Sequence, residues 1–319
     1  MLPPLAIIKR QCYTVPGKMN DAILEIQNIE KSFHHRKVLG GITLEVKDRE
    51  LFAVFGPPGC GKTTLAAIVC GASVPDEGNI AFAQGRGPVA LGVARQQPSF
   101  AGDLTLQENY EMFAALGGLP RRKRPGRVAA LMEALNLPNY RHRLARELSW
   151  QTLLIAEIGK SFLPDSGLVV IDSTLDAIPP DRLEAVWTAL TTVRRERAAS
   201  FLITTYSDKI AGLCDRAALM YEGRILRCGP PDELRSLAQD EQVLIEPILD
   251  PVLARRLGER SGFAIEERQD GIYVGARPEN PDLARLLADQ SGIGCVRLKK
   301  ATLADAIEAL LRKGGATEP

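Results

Sequence analysis

Residues 51–71 read LFAVFGPPGCGKTTLAAIVCG. Leu51 to Phe55 has the length and composition of a short buried strand. Gly56-Pro57-Pro58-Gly59-Cys60-Gly61-Lys62-Thr63 then fits G-x-x-x-x-G-K-[ST] without a gap, and Thr64 follows. The run TTLAAIVCG predicts a helix that stops at Gly71. Strand, loop and helix in this order build an anion nest. The glycines let successive backbone N–H groups turn inward, and the helix N-terminus adds partial positive charge. In such a loop Lys62 reaches the β- and γ-phosphates of a nucleotide, and the Thr63 hydroxyl holds Mg²⁺. Cys60 lies inside the nest. A small residue filling a small slot is the simpler reading; a thiol activated by Lys62 and the helix end is the other.

The rest of the 319-residue chain sets broad bounds. It is long enough for one large domain and a smaller one. A formal charge of +1 gives no strong field for nucleic acid, and none is expected as a partner. Six cysteines without a C-x-x-C pair argue against a zinc site or a disulfide framework. No apolar run reaches the roughly 18–20 residues that span a bilayer. The opening MLPPLAIIKR has too short an apolar patch for a secretory signal, and its basic residues follow that patch. Met19 is a plausible second start, so residues 1–18 are expected to be a disordered extension or a misplaced start. The chain is expected in the cytoplasm, at a membrane only through a partner.

Four further segments follow in a telling order: KSFHHRKVLGGITLEVKDRELFAVFG, VARQQPSFAGDLTLQENYEMFAAL, RELSWQTLLIAEIGKSFLPDSGLVVID and AASFLITTYSDKIAGLCDRAALMYEGRILRCGPPDEL. Over about residues 21–240 the sequence resembles the ATP-binding subunits of ABC transporters, and its last segment is close to those of the ABC-2 exporter group. The resemblance implies an α/β P-loop NTPase, a RecA-like core with antiparallel β and helical subdomains, the latter at about 97–160. It implies ATP and Mg²⁺ as cofactors. Phe33 would stack on adenine. Gln96, or else Gln97, would sense Mg²⁺ and water. Ser149, Trp150 and Gln151 fall in the signature segment. Asp172, closing the apolar run LVVID, is placed to contact Mg²⁺ through water. Two such domains sandwich two ATP molecules head to tail, as a homo- or heterodimer. Their closure and reopening drive a membrane-spanning subunit from the inner face of the cell membrane.

The sequence departs from that pattern in four places. Ser173 stands where the family has its general-base Glu, and a serine hydroxyl cannot take a proton from water near neutral pH. The next carboxylate, Asp176, is four residues past Asp172 and would substitute only in a rebuilt loop. Tyr206 stands where the family has its switch histidine; the chain's only histidines are His34, His35 and His142. The signature L-S-G-G-Q reads Leu148-Ser149-Trp150-Gln151-Thr152, without glycines. Pro179 and Pro180 occupy the neighbourhood of a coupling aspartate. No intact catalytic set remains, so ATP binding with slow or absent hydrolysis is expected. The alternative is a nucleotide-responsive regulatory or scaffold protein that does not drive transport. A small-molecule kinase would leave the signature and closing segments unexplained.

Residues 241–319 have their own rhythm. Strand patterns at 243–248, 263–267, 272–276 and 295–298 alternate with helical patterns at 251–259 and 282–289. Thr302-x-x-Asp305 opens an amphipathic helix. The order β-α-β-β-α-β plus a helix suggests a small α+β ferredoxin-like domain. The run RRKRPGR at 121–127 reads as a solvated loop between helices, with acidic lipid headgroups as the alternative contact.

Overall fold

The computed structural model describes residues 13–14, 21–34, 36–82, 91–238, 242–248, 264–268, 271–275, 293–299 and 301–314. The chain divides into two compact units, Met1–Pro231 and Asp232–Pro319. The boundary expected at residue 240 falls just past the short helix that opens the second unit.

The first unit is built on a six-stranded sheet. Its strands are β4 (Leu51–Phe55), β6 (Gly92–Ala94), β7 (Leu168–Asp172), β8 (Ser200–Thr205), β9 (Arg216–Tyr221) and β10 (Arg224–Gly229). Their order is β10-β9-β4-β8-β7-β6, parallel except for the antiparallel β9–β10 edge. All five residues of β4 are buried, and the strand is flanked by β8 and β9. An apolar run without alternation is what a strand covered on both faces requires.

A second sheet holds β1 (Tyr13–Thr14), β2 (Ala22–Phe33), β3 (Arg36–Lys47) and β5 (Glu77–Phe82), in the order β1-β5-β2-β3. The helix α1 (Lys62–Val69) contributes Leu65, Ala66, Ile68 and Val69 to one apolar cluster. Ile23, Leu24, Ile42 and Ile80 join it from the second sheet, and Phe52, Val170 and Leu202 from the first. The two sheets and α1 therefore share a single core. Within the stretch expected to be a disordered extension or a misplaced start, Tyr13–Thr14 pairs in parallel with Ile80–Ala81. Residues 1–12 and 15–20 lie outside the described residues.

The helical part comprises α2 (Leu106–Leu116), α3 (Arg124–Ala134) and α4 (Trp150–Ser161). Thr105 caps α2 in a reciprocal box with Glu108. Leu106 and Tyr110 are buried, while Leu116, at the last turn before Gly117, is exposed. The helix α4 is buried nearly all round. A Cβ on Gly159 would meet Leu135 and the Tyr110 hydroxyl, each at 2.5 Å, so this helix lies close against its neighbours. Within the basic run, Arg127 pairs with Asp165 at 2.9 Å and the Arg124 Nε donates to the Leu119 carbonyl at 2.8 Å. Helix α5 (Pro180–Arg197) and the single turn α6 (Asp208–Ala211) complete this unit.

The second unit begins with α7 (Pro231–Ser236), whose first residue belongs to the unit before it. An antiparallel sheet of β11 (Gln242–Ile248), β12 (Ala264–Arg268), β13 (Gly271–Gly275) and β14 (Ile293–Lys299) follows, in the order β12-β13-β11-β14. The chain then forms α8 (Leu303–Gly314), opened by Thr302 and Asp305: the Thr302 N–H donates to the carboxylate at 2.8 Å, and the Asp305 N–H returns to the hydroxyl at 3.2 Å. The helices expected at 251–259 and 282–289 lie outside the described residues. Among the described residues no helix is long and apolar enough to cross a membrane.

Candidate functional site

Strand register gathers the site. Phe55 is level with Thr205, Asp172 with Thr204, and Ala94 with Ile171. The phosphate loop, the loop carrying Gln96, the turn after Asp172 and the turn carrying Tyr206 therefore leave one edge of the sheet. This is the C-terminal edge of the parallel strands, where open α/β sheets bind ligands. A cleft of about 380 Å³ opens there, lined by Val38, Pro58, Gly59, Gly61, Lys62, Thr63, Thr64, Gln96, Ser173 and Tyr206.

The loop's shape rests on its glycines. Gly59 and Gly61 have φ of 79° and 108°, a left-handed backbone that L side chains rarely adopt. Gly56 is fixed by crowding: a Cβ there would meet the Met220 carbonyl oxygen at 2.2 Å. In front of Gly59 the space is open, with nothing within 4 Å of an added Cβ. The Lys62 ammonium folds back on the loop and donates to the Gly56 and Pro57 carbonyls at 2.7 and 2.8 Å. Cys60 is buried with its sulfur 3.7 Å from that ammonium. Burial pushes its thiol pKa up despite the opposing lysine, which favours a small residue filling a small slot over an activated thiol.

The donor set suits Mg²⁺ and a phosphate chain. The Thr63 hydroxyl donates to Asp172 Oδ1 at 3.1 Å, so two hard oxygens already meet. Among the described residues no cluster of three His, Cys, Asp or Glu exists. One carboxylate plus one hydroxyl, completed by phosphate oxygens and water, is the usual way to hold Mg²⁺ beside a nucleotide. Gln96 lines the same cleft; Gln97 does not.

Ser173 lies beyond Asp172 with φ of 50° and only 8% exposure. Its N–H donates to the Thr204 carbonyl and hydroxyl oxygens, both at 3.0 Å, and its own hydroxyl lies 3.2 Å from the Thr204 hydroxyl. Thr204 also donates to Asp172 Oδ1 at 2.7 Å. Tyr206 is 53% exposed at the cleft wall. Asp176 accepts a hydrogen bond from the Thr205 hydroxyl and one from the Tyr206 N–H, the latter at 3.1 Å. Burial raises the Asp176 pKa above its ordinary value, against the lowering effect of these bonds and of Lys62.

The remaining expected site residues stand apart from this cleft. Phe33 is exposed at the end of β2, with the Lys31 ammonium 5.4 Å from its ring centre. Ser149 caps α4 by accepting from the Thr152 N–H at 3.2 Å. Trp150, the first residue of that helix, is 56% exposed. None of Phe33, Ser149, Trp150 or Gln151 lines the cleft. The sequence reading missed Val38, which forms the cleft wall from β3, and Thr204 and Thr205, which organise both carboxylates. The paired threonines of LITTYSD at a strand end were the available signal.

A P-loop on a mixed sheet, with a helical insertion between β6 and β7, defines a nucleotide-binding domain. A profile described as "ABC transporter" matches residues 39–176. "Fe(3+) ions import ATP-binding protein FbpC 2" of Rhodococcus jostii is 30% identical over 284 residues, 85% of this chain and 82% of that protein. The chain belongs to the ATP-binding proteins of ABC transporters. "Probable multidrug ABC transporter ATP-binding protein YbhF" of Escherichia coli is 26% identical over 72% of this chain, which spans only 41% of that relative's length. Among solved structures, an ATP-binding subunit of an ABC transporter superposes with a TM-score of 0.62 at 22% identity, covering 67% of this chain and 92% of that one. A dimeric ATP-binding cassette bound to ADP and Pi gives a TM-score of 0.59 at 18% identity, covering 65% of this chain and 98% of that one. These two likenesses concern the fold.

Proposed function

We propose that this chain is the ATP-binding subunit of an ABC-2-type transporter, holding Mg-ATP at a domain–domain interface with slow or absent hydrolysis. The observation that carries the reading is the mismatch within one cleft. Lys62, Thr63, Gln96 and Asp172 supply the means to hold Mg²⁺ and phosphates. Ser173 lies where a base is needed, buried and bonded to Thr204. Losing a positioned base costs about 10²- to 10⁴-fold in rate. Asp176 is not among the residues that line the cleft, and it is tied instead to the Thr205 hydroxyl and the Tyr206 N–H. Mg²⁺ would screen phosphate charge; the chain's own part is to cradle phosphates with loop N–H groups and Lys62. Thr63 and Asp172 orient oxygens, and Tyr206 offers a phenol at the cleft wall.

The closing hairpin β9–β10 with α7, whose sequence resembles the ABC-2 exporter group, supports the finer assignment. Relatives named for Nod factor export stand beside those named for Fe(3+) import, so direction is argued from that segment alone. We place the protein in the cytoplasm, bound to a membrane-spanning partner and a second nucleotide-binding domain. In the second unit, the strand order β12-β13-β11-β14 fits the ferredoxin-like arrangement for a β-α-β-β-α-β chain.

Purified full-length protein is expected to bind Mg-ATP saturably and to turn it over at no more than about a hundredth of a family-typical rate. Lys62→Ala should abolish binding. Family-typical turnover that Lys62→Ala removes would refute the reading. Co-purification with a membrane-spanning subunit supports the transporter assignment; a soluble partner alone would favour a scaffold.

A further inference from the structure

Asp176 has no role in the reading above except that it is not the base. Its surroundings give it another. Thr204 and Thr205 are consecutive residues at the end of β8, and consecutive side chains of a strand leave opposite faces. Thr204 donates to Asp172 Oδ1, and Thr205 donates to Asp176 Oδ1. The turn after β7 therefore straddles the end of β8 and is tied to it on both faces. A third tie runs from the Tyr206 N–H to Asp176 Oδ2 at 3.1 Å, and the Ser207 N–H closes onto the Thr205 hydroxyl at 2.9 Å. The backbone of Tyr206 is thus held by a carboxylate from the neighbouring loop, while Tyr206 lines the cleft with Lys62, Thr63 and Ser173.

We propose that Asp176 is a positioning residue: it anchors the Tyr206 turn so that the phenol hydroxyl stands at the terminal-phosphate end of the cleft. The inference rests on the reading of this cleft as an ATP site. A short side chain at position 176 could not reach both the Thr205 hydroxyl and the Tyr206 N–H. The turn would then lose its tie to the loop after β7 and keep the Gly56 N–H bond to the Thr205 carbonyl, its local Thr205–Ser207 bond and the cap that Ser207 gives α6. A phenol on a less tethered turn must lose conformational entropy to meet a phosphate, and this reduces what the contact contributes. The consequence is specific to the γ-phosphate. Asp176 should govern how strongly the site prefers ATP to ADP.

The experiment measures the ratio of Mg-ATP to Mg-ADP affinity by calorimetry on the full chain. Tyr206→Phe should lower the ratio about tenfold, the scale of one hydrogen bond to a charged group. Asp176→Ala should lower it by a similar factor, Thr205→Val by less, and Asp176→Asn, which keeps one acceptor oxygen, by an intermediate amount. In the Tyr206→Phe background Asp176→Ala should change nothing further, because it acts through the phenol. The inference is overturned if the Asp176 and Thr205 variants keep the parental ratio. It is equally overturned if Asp176→Ala lowers the ratio by the same factor in both backgrounds. Lys62→Ala is the separate control: undiminished ATP binding there would sink the ATP-site reading itself.

Discussion

Ser173 illustrates how a single residue is read twice. In the sequence it is the wrong residue at a base position. In the structure it is also committed, with its N–H and hydroxyl both against Thr204. Gly56 makes a sharper case. The Met220 carbonyl leaves no room for a methyl group, so Gly56→Ala should destabilise the protein by about 1–3 kcal/mol, read as a lowered denaturation midpoint. Asp176 gives a pH signature. Its folded pKa is raised, so the native state keeps a proton that the unfolded chain has released. The associated stability is complete below the ordinary carboxylate pKa and is lost as pH rises through the raised one. Thermal melts from about pH 4 to 7 should therefore differ in slope between the parent and Asp176→Asn, with the variant flatter. Parallel curves would remove this account.

At the scale of elements, α4 carries the least expected feature. Glu157 is fully buried within it and accepts from the Arg95 and Ser99 N–H groups at 3.3 and 3.1 Å. Lys160, one turn on, donates to Glu157 at 2.5 Å and to the Ser99 hydroxyl at 2.6 Å, and lies over the rings of Phe100 and Phe113. The helix headed by Ser149 and Trp150 is thereby stapled to the loop that carries Gln96. Breaking a buried pair by removing one partner leaves the other charge uncompensated. Glu157→Ala should cost about 3–5 kcal/mol in a denaturation experiment. By contrast, Thr105→Ala removes only the exposed box at the start of α2 and should cost about 1 kcal/mol. A comparable loss for both would mean that Glu157 is not the staple described.

At the scale of the molecule, the cleft is lined wholly by residues between Val38 and Tyr206, all within the first unit. A chain ending at residue 238 should bind Mg-ATP within about a factor of two of the full protein, since it keeps every residue that lines the cleft. A large loss of affinity would show that the second unit shapes the site.

What the sequence determined by itself is local. The phosphate loop was legible because its turn needs glycines at φ of 79° and 108° and a lysine at a fixed offset, all within eight residues. The strand ending at Asp172 and the cap before α8 were legible for the same reason: each is a short-range pattern with a physical cause. What only the tertiary structure decided depends on distant partners. Val38 reaches the cleft through a strand of the other sheet. Thr204 and Thr205 serve carboxylates about thirty residues away in sequence, at a spacing fixed by the register of β7 on β8. Glu157 is paired across some sixty residues with the loop at Arg95. Such pairings cannot be read from periodicity or spacing, because the free energy that selects them comes from packing and desolvation once the sheet has assembled.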